Sequence, residues 1–514
     1  MNSLYSSWRS LGSALVSCVA LPFATASSAF ADVPSKIVFV HSAEPTSTDC
    51  IGETDVPAHQ IFCQQIMEPL VQLDPEPTPW LATSWKQTSP TTWEYTLRED
   101  VNFSNGDHMT SDDVVASVGH LIGTDQHNNR LGSLMSARAV SQYVVELTTK
   151  VPDAFFPYSI SRLYIAPKSV LAKYPEFKTL PAVGSGPFTL ENWDHGVAIN
   201  MKANPNYWGQ KPAFQDLQFI WRAESTVRAL MVSTGEAQVA YNLSPEDVAD
   251  LKNVSTQETN EIAGLRWNTI GVPQESVFQN QDVRRAANLA IDRDAVAKEL
   301  YAGYMNLSGG MPVSLTMAGV PTDVAPNPFP YDMKEAQRLI EKAGAKGKKI
   351  TIMSPQGRWP RDTELLDYIA NQLRQAGLDV KVNIVEYALW NAEVDYFRKG
   401  TEKSDAILNF SGNEIPDAAA KADRYMACQG NKTVPGSGAM GICLPEADKL
   451  IEQAMSEFDV NKRNELSKEL IRMHIKNDSF LSIGSVAAIV GLTDTINWKP
   501  TPALEFRLAQ LTAK

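Results

Sequence analysis

Side chains that could bind a solute stand out in this sequence. Arg358 and Trp359 come shortly after the apolar stretch 349–353, and Trp390 lies just beyond the alternating stretch 378–386. Loops after parallel strands are where α/β sheets bind ligands, and a guanidinium can hold a carboxylate through two parallel hydrogen bonds. We therefore predict that Arg358 binds an anionic group of a ligand and that both indoles line the same cleft. A surface arginine and a core tryptophan are the structural alternatives.

Catalytic motifs are missing from the sequence. It contains no Gly-x-Ser-x-Gly, no His-Glu-x-x-His and no phosphate-binding loop, and its seven histidines are scattered. Gly436, Gly438 and Gly441 fit Gly-x-Gly-x-x-Gly, but no strand enters this segment and no helix follows it. We predict a binding protein without a cofactor rather than an enzyme. A secreted hydrolase and a receptor for a metal or metallophore remain the alternatives, because catalytic groups can come together in space.

Four cysteines follow the N-terminal segment, and they form two near-neighbour pairs. Cys50 lies close to Cys63, and Cys428 lies close to Cys443. We expect a disulfide within each pair, although four cysteines allow three pairings. A metal site formed by Cys50, His59 and Cys63 is the other interpretation. No metal is predicted there, because a fourth ligand with a recognised spacing is missing.

The first 31 residues have the layout of a signal peptide. Arg9 precedes an uncharged run over residues 11–24, and Ala29-Phe30-Ala31 offers a small-x-small cleavage site. Cleavage after Ala31 predicts export to the periplasm, where disulfides persist. The segment 15–18 (LVSC) also resembles a lipoprotein cleavage box, so a lipid anchor at Cys18 is the alternative.

The charge balance argues against nucleic acids and anionic lipid surfaces as partners. The chain has 46 Lys and Arg against 59 Asp and Glu, a net charge of −13. Such a surface repels phosphate backbones and anionic lipids, so no nucleic-acid partner is expected. After the N-terminal segment there is no run of 18 apolar residues, so no membrane span is predicted.

Periodicity in the second half predicts an α/β region. Asp332 and Glu335 form a capping box before a helical apolar pattern, and a second helical pattern ends at Gly377. The stretches 349–353 and 378–384 read as strands. Strand, helix and strand in this order imply a parallel crossover.

The first half predicts a mixed α+β region instead. Short alternating stretches at 92–97, 142–148 and 198–203 are separated by Pro, Gly and Asn turns. Residues 184–187 (GSGP) form a turn that leads into an apolar strand before the stretch 198–203. Gly184 and Gly186 can adopt positive φ, so a sharp corner is expected there.

Five ordered blocks of the sequence resemble one family. Residues 184–209 read GSGPFTLENWDHGVAINMKANPNYWG, and the other blocks are residues 79–115, 282–303, 331–344 and 450–474. Together they resemble the extracellular solute-binding proteins of ABC importers, in the family of dipeptide- and oligopeptide-binding proteins (family 5).

This resemblance implies a fold, a domain arrangement and partners. The expected fold is the bilobal type II periplasmic-binding-protein fold, of class α/β with a mixed α+β first lobe and an extra subdomain, like cluster C. Lobe I would comprise residues 32–266 and 486–514, with a subdomain at about 68–180, and lobe II residues 267–485. A monomer would close over a peptide, an opine or a similar conjugate and deliver it to the permease subunits.

The resemblance also implies further ligand contacts. Glu44 lies in the loop that the family places near the ligand, and Arg266 and Trp267 lie at the first crossing between the lobes. We expect one of these two residues to reach the cleft and the other to pack the hinge.

One position departs from the family pattern. Dipeptide-binding members carry an Asp just before a Pro, and that carboxylate receives the amino terminus of the ligand. Ile415 occupies this position here, and Asn413, Glu414 or Asp417 could substitute for the missing carboxylate. The departure favours modified peptides and opine-like conjugates alongside ordinary dipeptides.

Overall fold

Helices and strands alternate along this computed structural model. The structure describes residues 34–52, 57–74, 76–122, 124, 131, 133–174, 180–267, 276–308, 320, 327–387, 389–390, 392–393, 404–411, 418–419, 422, 426–428, 442–498 and 505–514. None of the helices described there combines the length and the hydropathy needed to cross a bilayer.

The element bounds are as follows. The strands are β1 (Lys36–His41), β2 (Val71–Asp74), β3 (Glu76–Pro79), β4 (Ala82–Ser89), β5 (Thr92–Leu97), β6 (Leu134–Ser141), β7 (Val144–Thr149), β8 (Phe188–Asp194), β9 (Ala198–Ala203), β10 (Asp216–Trp221), β11 (Val239–Leu243), β12 (Val254–Trp267), β13 (Met305–Leu307), β14 (Lys349–Pro355), β15 (Asp379–Val385), β16 (Ala406–Ser411), β17 (Leu481–Leu492), β18 (Ile496–Asn497) and β19 (Thr512–Ala513). The helices are α1 (Pro57–Ile66), α2 (Ser111–Ile122), α3 (Phe156–Ser159), α4 (Lys168–Lys173), α5 (Ser225–Ser233), α6 (Gln281–Leu289), α7 (Arg293–Ala295), α8 (Met333–Lys342), α9 (Asp362–Ala376), α10 (Pro445–Ser456) and α11 (Val460–Asn477).

A mixed sheet connects both halves of the chain. In the described residues it has eleven strands in the order β15-β14-β16-β12-β17-β11-β1-β10-β9-β8, and β13 pairs with β17 beside this path. β1 is parallel to β10 and β11, and β14 is parallel to β15 and β16. The long antiparallel pair β12–β17 joins these two parallel parts. The predicted mixed α/β class is confirmed.

Apolar side chains form two large cores. The first core takes residues between Ile37 and Tyr241 and, again, between Ala488 and Leu511. The second core takes residues between Ala263 and Val486, and β17 contributes to both. By its internal contacts Val33–Lys514 is a single compact unit, so the lobe boundaries at residues 266 and 486 stay a prediction.

The predicted α/β region has the expected elements. The carboxylate of Asp332 caps α8 by accepting the N–H of Glu335 at 2.9 Å. α9 ends at Gly377, whose φ of 113° lies in the left-handed region that costs glycine little. β14 and β15 flank this helix in the sequence and pair in parallel, as the order of strand, helix and strand predicted.

The segment 184–209 folds around a buried carboxylate. Glu68 is fully buried. Its two oxygens accept hydrogen bonds from Trp80 Nε1 at 2.8 Å, the Tyr207 hydroxyl at 2.9 Å, the Ser185 hydroxyl at 2.8 Å and Trp208 Nε1 at 2.7 Å. Burial raises the pKa of Glu68, while the positive charge of Arg507 and these hydrogen bonds oppose the rise. Tyr207 and Trp208 therefore anchor their turn to Glu68, just after α1, and their role is structural.

The two glycines of this segment are needed for close approach rather than for positive φ. Neither Gly184 nor Gly186 has a positive φ, so that expectation was wrong. A Cβ at Gly184 would lie 2.3 Å from the carbonyl oxygen of Ile66, and one at Gly186 would lie 2.6 Å from that of Gln65. Because α1 passes so close, no larger residue fits at either position.

Candidate ligand-binding site

Three strand ends meet at one edge of the sheet in the second core. β14 runs parallel to β15, with Lys349 opposite Asp379, and parallel to β16, with Ile352 opposite Ala406. The chain therefore leaves all three strands at the same edge. The segments after β14 and β15 carry Arg358, Trp359 and Trp390, so the topology brings the three predicted site residues of this core together.

Four aromatic rings cluster at this edge. Trp359 stacks on Phe410 with centroids 4.8 Å apart and an interplanar angle of 8°, and it meets Trp390 edge-on at 5.4 Å. Trp390 also stacks on Tyr387 at 5.8 Å and donates its indole N–H to the Leu408 carbonyl oxygen at 3.1 Å. Trp359 and Trp390 are buried, which makes them anchors of the cluster, whereas Tyr387 is 40% exposed.

Arg358 places a positive charge on this aromatic cluster. Its guanidinium carbon lies 4.5 Å from the ring centroid of Tyr387 and 5.9 Å from that of Trp359. Its buried Nε has no hydrogen-bond partner among the described atoms. Cation–π contacts orient a guanidinium without neutralising its charge. The side chain is thus oriented and retains donors for an anionic group.

A buried carboxylate fixes the loop that carries Arg358. Asp362, the first residue of α9, accepts the backbone N–H groups of Gly357 at 3.2 Å, Arg358 at 2.7 Å and Trp359 at 3.0 Å. Burial raises the pKa of Asp362, and these N–H groups oppose the rise. We did not predict this residue from the sequence. The only available signal was an acid shortly after Trp359-Pro360, at the start of a helical pattern.

The three candidates for replacing the missing carboxylate lie outside the described residues. Asn413, Glu414 and Asp417 follow β16, which ends at Ser411. Their predicted role in replacing the missing carboxylate stays a prediction.

Glu44 lies in the loop after β1, is partly exposed and is already bonded to protein groups. Its carboxylate accepts the indole N–H of Trp193 at 2.9 Å and the Gly196 N–H at 3.3 Å, and it lies 3.3 Å from His195 Nδ1. These three residues belong to the end of β8 and the turn toward β9. A contact between Glu44 and a ligand stays a prediction.

Arg266 and Trp267 are both buried in β12. Trp267 has no exposed surface, stacks on Phe278 at 4.5 Å and donates its indole N–H to the carbonyl oxygen of Asp478 at 2.9 Å. Arg266 pairs with Ile407 of β16 and is 3% exposed. Trp267 thus belongs to the second core in this structure, and the prediction that one of the two residues reaches the cleft is untested.

Both expected disulfides are present. Cys50 is bonded to Cys63 and Cys428 to Cys443. In the part of the chain that the structure describes, one cluster has three metal-ligand side chains, namely Cys50, His59 and Cys63. Its two sulfurs are bonded to each other and thus do not offer thiolates, which metal binding requires.

The sequence identifies the class of protein to which this fold and site belong. The chain belongs to the bacterial extracellular solute-binding proteins, family 5, whose family model matches residues 76–433. The glutathione-binding protein GsiB of Escherichia coli O6:K15:H31 is 28% identical over 334 residues, which cover 62% of this chain and 63% of the relative. The chain therefore matches less than two thirds of the length of such curated relatives.

Solved structures share the fold at lower identity. AgaA from A. tumefacien R10, in complex with agropinic acid, is 20% identical with a TM-score of 0.78, covering 93% of this chain and 99% of that chain. DppA from Helicobacter pylori, in complex with the peptide STSA, is 22% identical with a TM-score of 0.76, covering 93% and 98%. NikA from Brucella suis, in complex with Fe(III)-EDTA, is 21% identical with a TM-score of 0.78, covering 93% and 100%.

Proposed function

We propose that this protein is the periplasmic receptor of an ABC importer and captures a peptide-like or amino-acid-conjugate solute. Lobe I (residues 32–266 and 486–514, with a subdomain at about 68–180) and lobe II (residues 267–485) close about β12 and β17. The closed form is then recognised by the permease subunits. A signal peptide over residues 1–31 directs export, or Cys18 carries a lipid anchor.

The observation that carries this proposal is the guanidinium of Arg358, which ring faces orient and whose Nε has no hydrogen-bond partner among the described residues. It lies beside aromatic rings at the carboxyl ends of parallel strands, and Asp362 fixes its loop. A cation in such a setting suits a ligand carboxylate, and ring faces suit the flat or apolar body that bears it. The ligands named for the similar proteins fit this chemistry, since glutathione, agropinic acid and the peptide STSA all carry carboxylates.

The mechanism needs no covalent step in this chain. Closure excludes water from the cleft, and the lower local dielectric strengthens the ion pair between Arg358 and the ligand carboxylate. The ligand binds the closed form more tightly than the open form, so its binding free energy shifts the protein toward closure. Release reverses these steps, and the solute leaves unchanged.

Native mass spectrometry of freshly purified protein tests this function. The spectrum shows whether a small solute copurifies, and a thermal-shift screen then compares reduced glutathione, agropinic acid and the tetrapeptide STSA. A bound solute raises the melting temperature as its concentration increases over its Kd. Turnover of any of these compounds would instead indicate a hydrolase, and copurifying metal would indicate a metal receptor.

Substitution of Arg358 tests the site itself. For the best carboxylate from the screen, Arg358→Ala should raise the calorimetric Kd by about 10- to 150-fold, because a hydrogen-bonded charge is lost. Arg338→Ala is the matched control, since Arg338 is an exposed arginine on α8 that pairs with Glu335. Asp417→Ala should also weaken a ligand that carries an amino group. Equal Kd values for Arg358→Ala and the control would remove this site.

A further inference from the structure

We propose that Arg361 and Glu246 form an ion-pair latch that stabilises the closed arrangement of the two lobes; this rests on the proposed function. Arg361 Nη1 lies 3.3 Å from Glu246 Oε2. Arg361 directly precedes α9, which packs in the second core. Glu246 lies in the turn Pro245–Asp247, between β11 and β12, whose neighbours Leu243 and Val248 pack with Val40 of β1. The pair therefore joins segments that belong to different lobes.

The lobe II side of the latch is rigidly held. Asp362 accepts three consecutive backbone N–H groups of the loop, and the Tyr301 hydroxyl donates to the Pro360 carbonyl oxygen at 3.0 Å. Arg361 itself has a φ of 56°, which is uncommon for a residue with a side chain. Such backbone conformations persist only where the surroundings enforce them, and they concentrate at functional sites.

The lobe I side is held as well. The Thr226 hydroxyl donates to Asp247 Oδ1 at 2.8 Å, and the Ser244 N–H donates to the Ser225 hydroxyl at 2.7 Å. These bonds tie the turn that carries Glu246 to the start of α5. Because both ends are fixed to their own cores, the distance between Arg361 and Glu246 depends on how far apart the lobes are.

A second partner makes the contact reversible. Arg361 Nε also lies 3.4 Å from Glu364 Oε1. Glu364 belongs to the first turn of α9, on the same lobe as Arg361. When the lobes separate, Arg361 loses Glu246 and keeps Glu364 as its ion-pair partner, so its charge stays paired in the open form. Both carboxylates are half-exposed, at 54% for Glu246 and 52% for Glu364. An exposed pair of this kind shifts the closed-to-open ratio by about two- to fivefold, and salt weakens it.

The latch also lies next to the proposed ligand site. Arg358 and Arg361 belong to one loop, whose backbone Asp362 holds at Arg358 and Trp359. A ligand that engages Arg358 and the ion pair that engages Arg361 therefore favour the same arrangement. The latch should change the affinity for every solute by the same factor, and it should not change the choice among solutes.

Small-angle X-ray scattering of the solute-free protein in low salt tests this inference. Glu246→Lys should increase the radius of gyration, and 0.5 M NaCl should remove the difference. In an Arg361→Asn background the same Glu246→Lys change should have no effect; asparagine tolerates the left-handed backbone and carries no charge. Lys252→Glu is the control, since Lys252 pairs with Asp494 on the lobe I side only.

The results separate the latch from the proposed function. Native mass spectrometry of the same variants reports whether each still holds the copurifying solute. Solute retention with identical radii for all variants overturns the latch and leaves the receptor function intact. An equal effect of Glu246→Lys in both backgrounds also overturns it, because the effect would then not pass through Arg361. Failure of every variant and of the wild type to hold any solute counts against the receptor function instead.

Discussion

Replacing Glu68 with glutamine tests the buried hydrogen-bond network that fixes the segment 184–209. Trp80 Nε1 and the Tyr207 hydroxyl donate to one carboxylate oxygen, and the Ser185 hydroxyl and Trp208 Nε1 donate to the other. Glutamine has nearly the same shape, but its amide replaces one of these acceptors with a donor. A hydroxyl can turn and accept, whereas an indole N–H can only donate. In either amide orientation, one tryptophan therefore loses its acceptor.

The cost follows from this geometry. A hydrogen bond to a charged group contributes about 1.5–3 kcal/mol, and a buried donor left without a partner costs about 1–3 kcal/mol. We therefore expect Glu68→Gln to lower the free energy of unfolding by about 3–5 kcal/mol. For a chain of this length that corresponds to a melting temperature lower by about 3–5 °C.

Differential scanning calorimetry provides the assay. Glu191→Gln is the matched control, because Glu191 makes an exposed ion pair with Lys202 on β8 and β9. The control should change stability by less than about 0.5 kcal/mol. Trp208→Phe should cost less in the Glu68→Gln background than alone, since one orphaned donor has gone. If Glu68→Gln were no more destabilising than Glu191→Gln, the network would not stabilise the fold as we argue.

Two further predictions concern the packing of β12 on β17 and the effect of pH. A Cβ at Gly264 of β12 would lie 2.2 Å from the carbonyl oxygen of Leu481, so Gly264→Ala should cost about 3 kcal/mol or more in chemical denaturation. Gly119→Ala in α2 meets nothing within 4 Å and should be neutral or stabilise by up to about 1 kcal/mol; equal effects of the two changes would contradict the packing of β12 on β17. Burial, followed by the charge of Arg228, lowers the pKa of His41 to about 3. Because the unfolded state takes up a proton near pH 6.5 and the folded state does not, stability should be lost as pH falls from about 6.5 to 3, by about 1.4 kcal/mol per unit. His41→Gln should flatten this part of the unfolding profile, and identical slopes for the two proteins would refute the assignment.

Local patterns predicted the elements of the second core well. The helix cap at Asp332 and the helix end at Gly377 depend on residues within a few positions of each other, so the sequence displays them directly. The carboxyl ends of β14 and β15 also had to meet at one edge once the strands were parallel. That is why Arg358, Trp359 and Trp390 could be placed together from the sequence.

Long-range contacts could not be predicted in this way. Glu68 receives donors from residues 12, 117, 139 and 140 positions away, and nothing near it in the sequence marks it as a centre. Arg361 and Glu246 are 115 positions apart. Gly184 and Gly186 looked like turn residues, but their role depends on how closely α1 passes, which only the tertiary structure shows.

The central claim is that two lobes close over a solute and release it unaltered. Small-angle scattering with and without whichever of glutathione, agropinic acid and STSA stabilises the protein, followed by mass spectrometry of the recovered compound, tests it most directly. The account predicts a smaller radius of gyration in the presence of that compound and recovery of the compound at its original mass. An unchanged radius together with a cleaved product would contradict it.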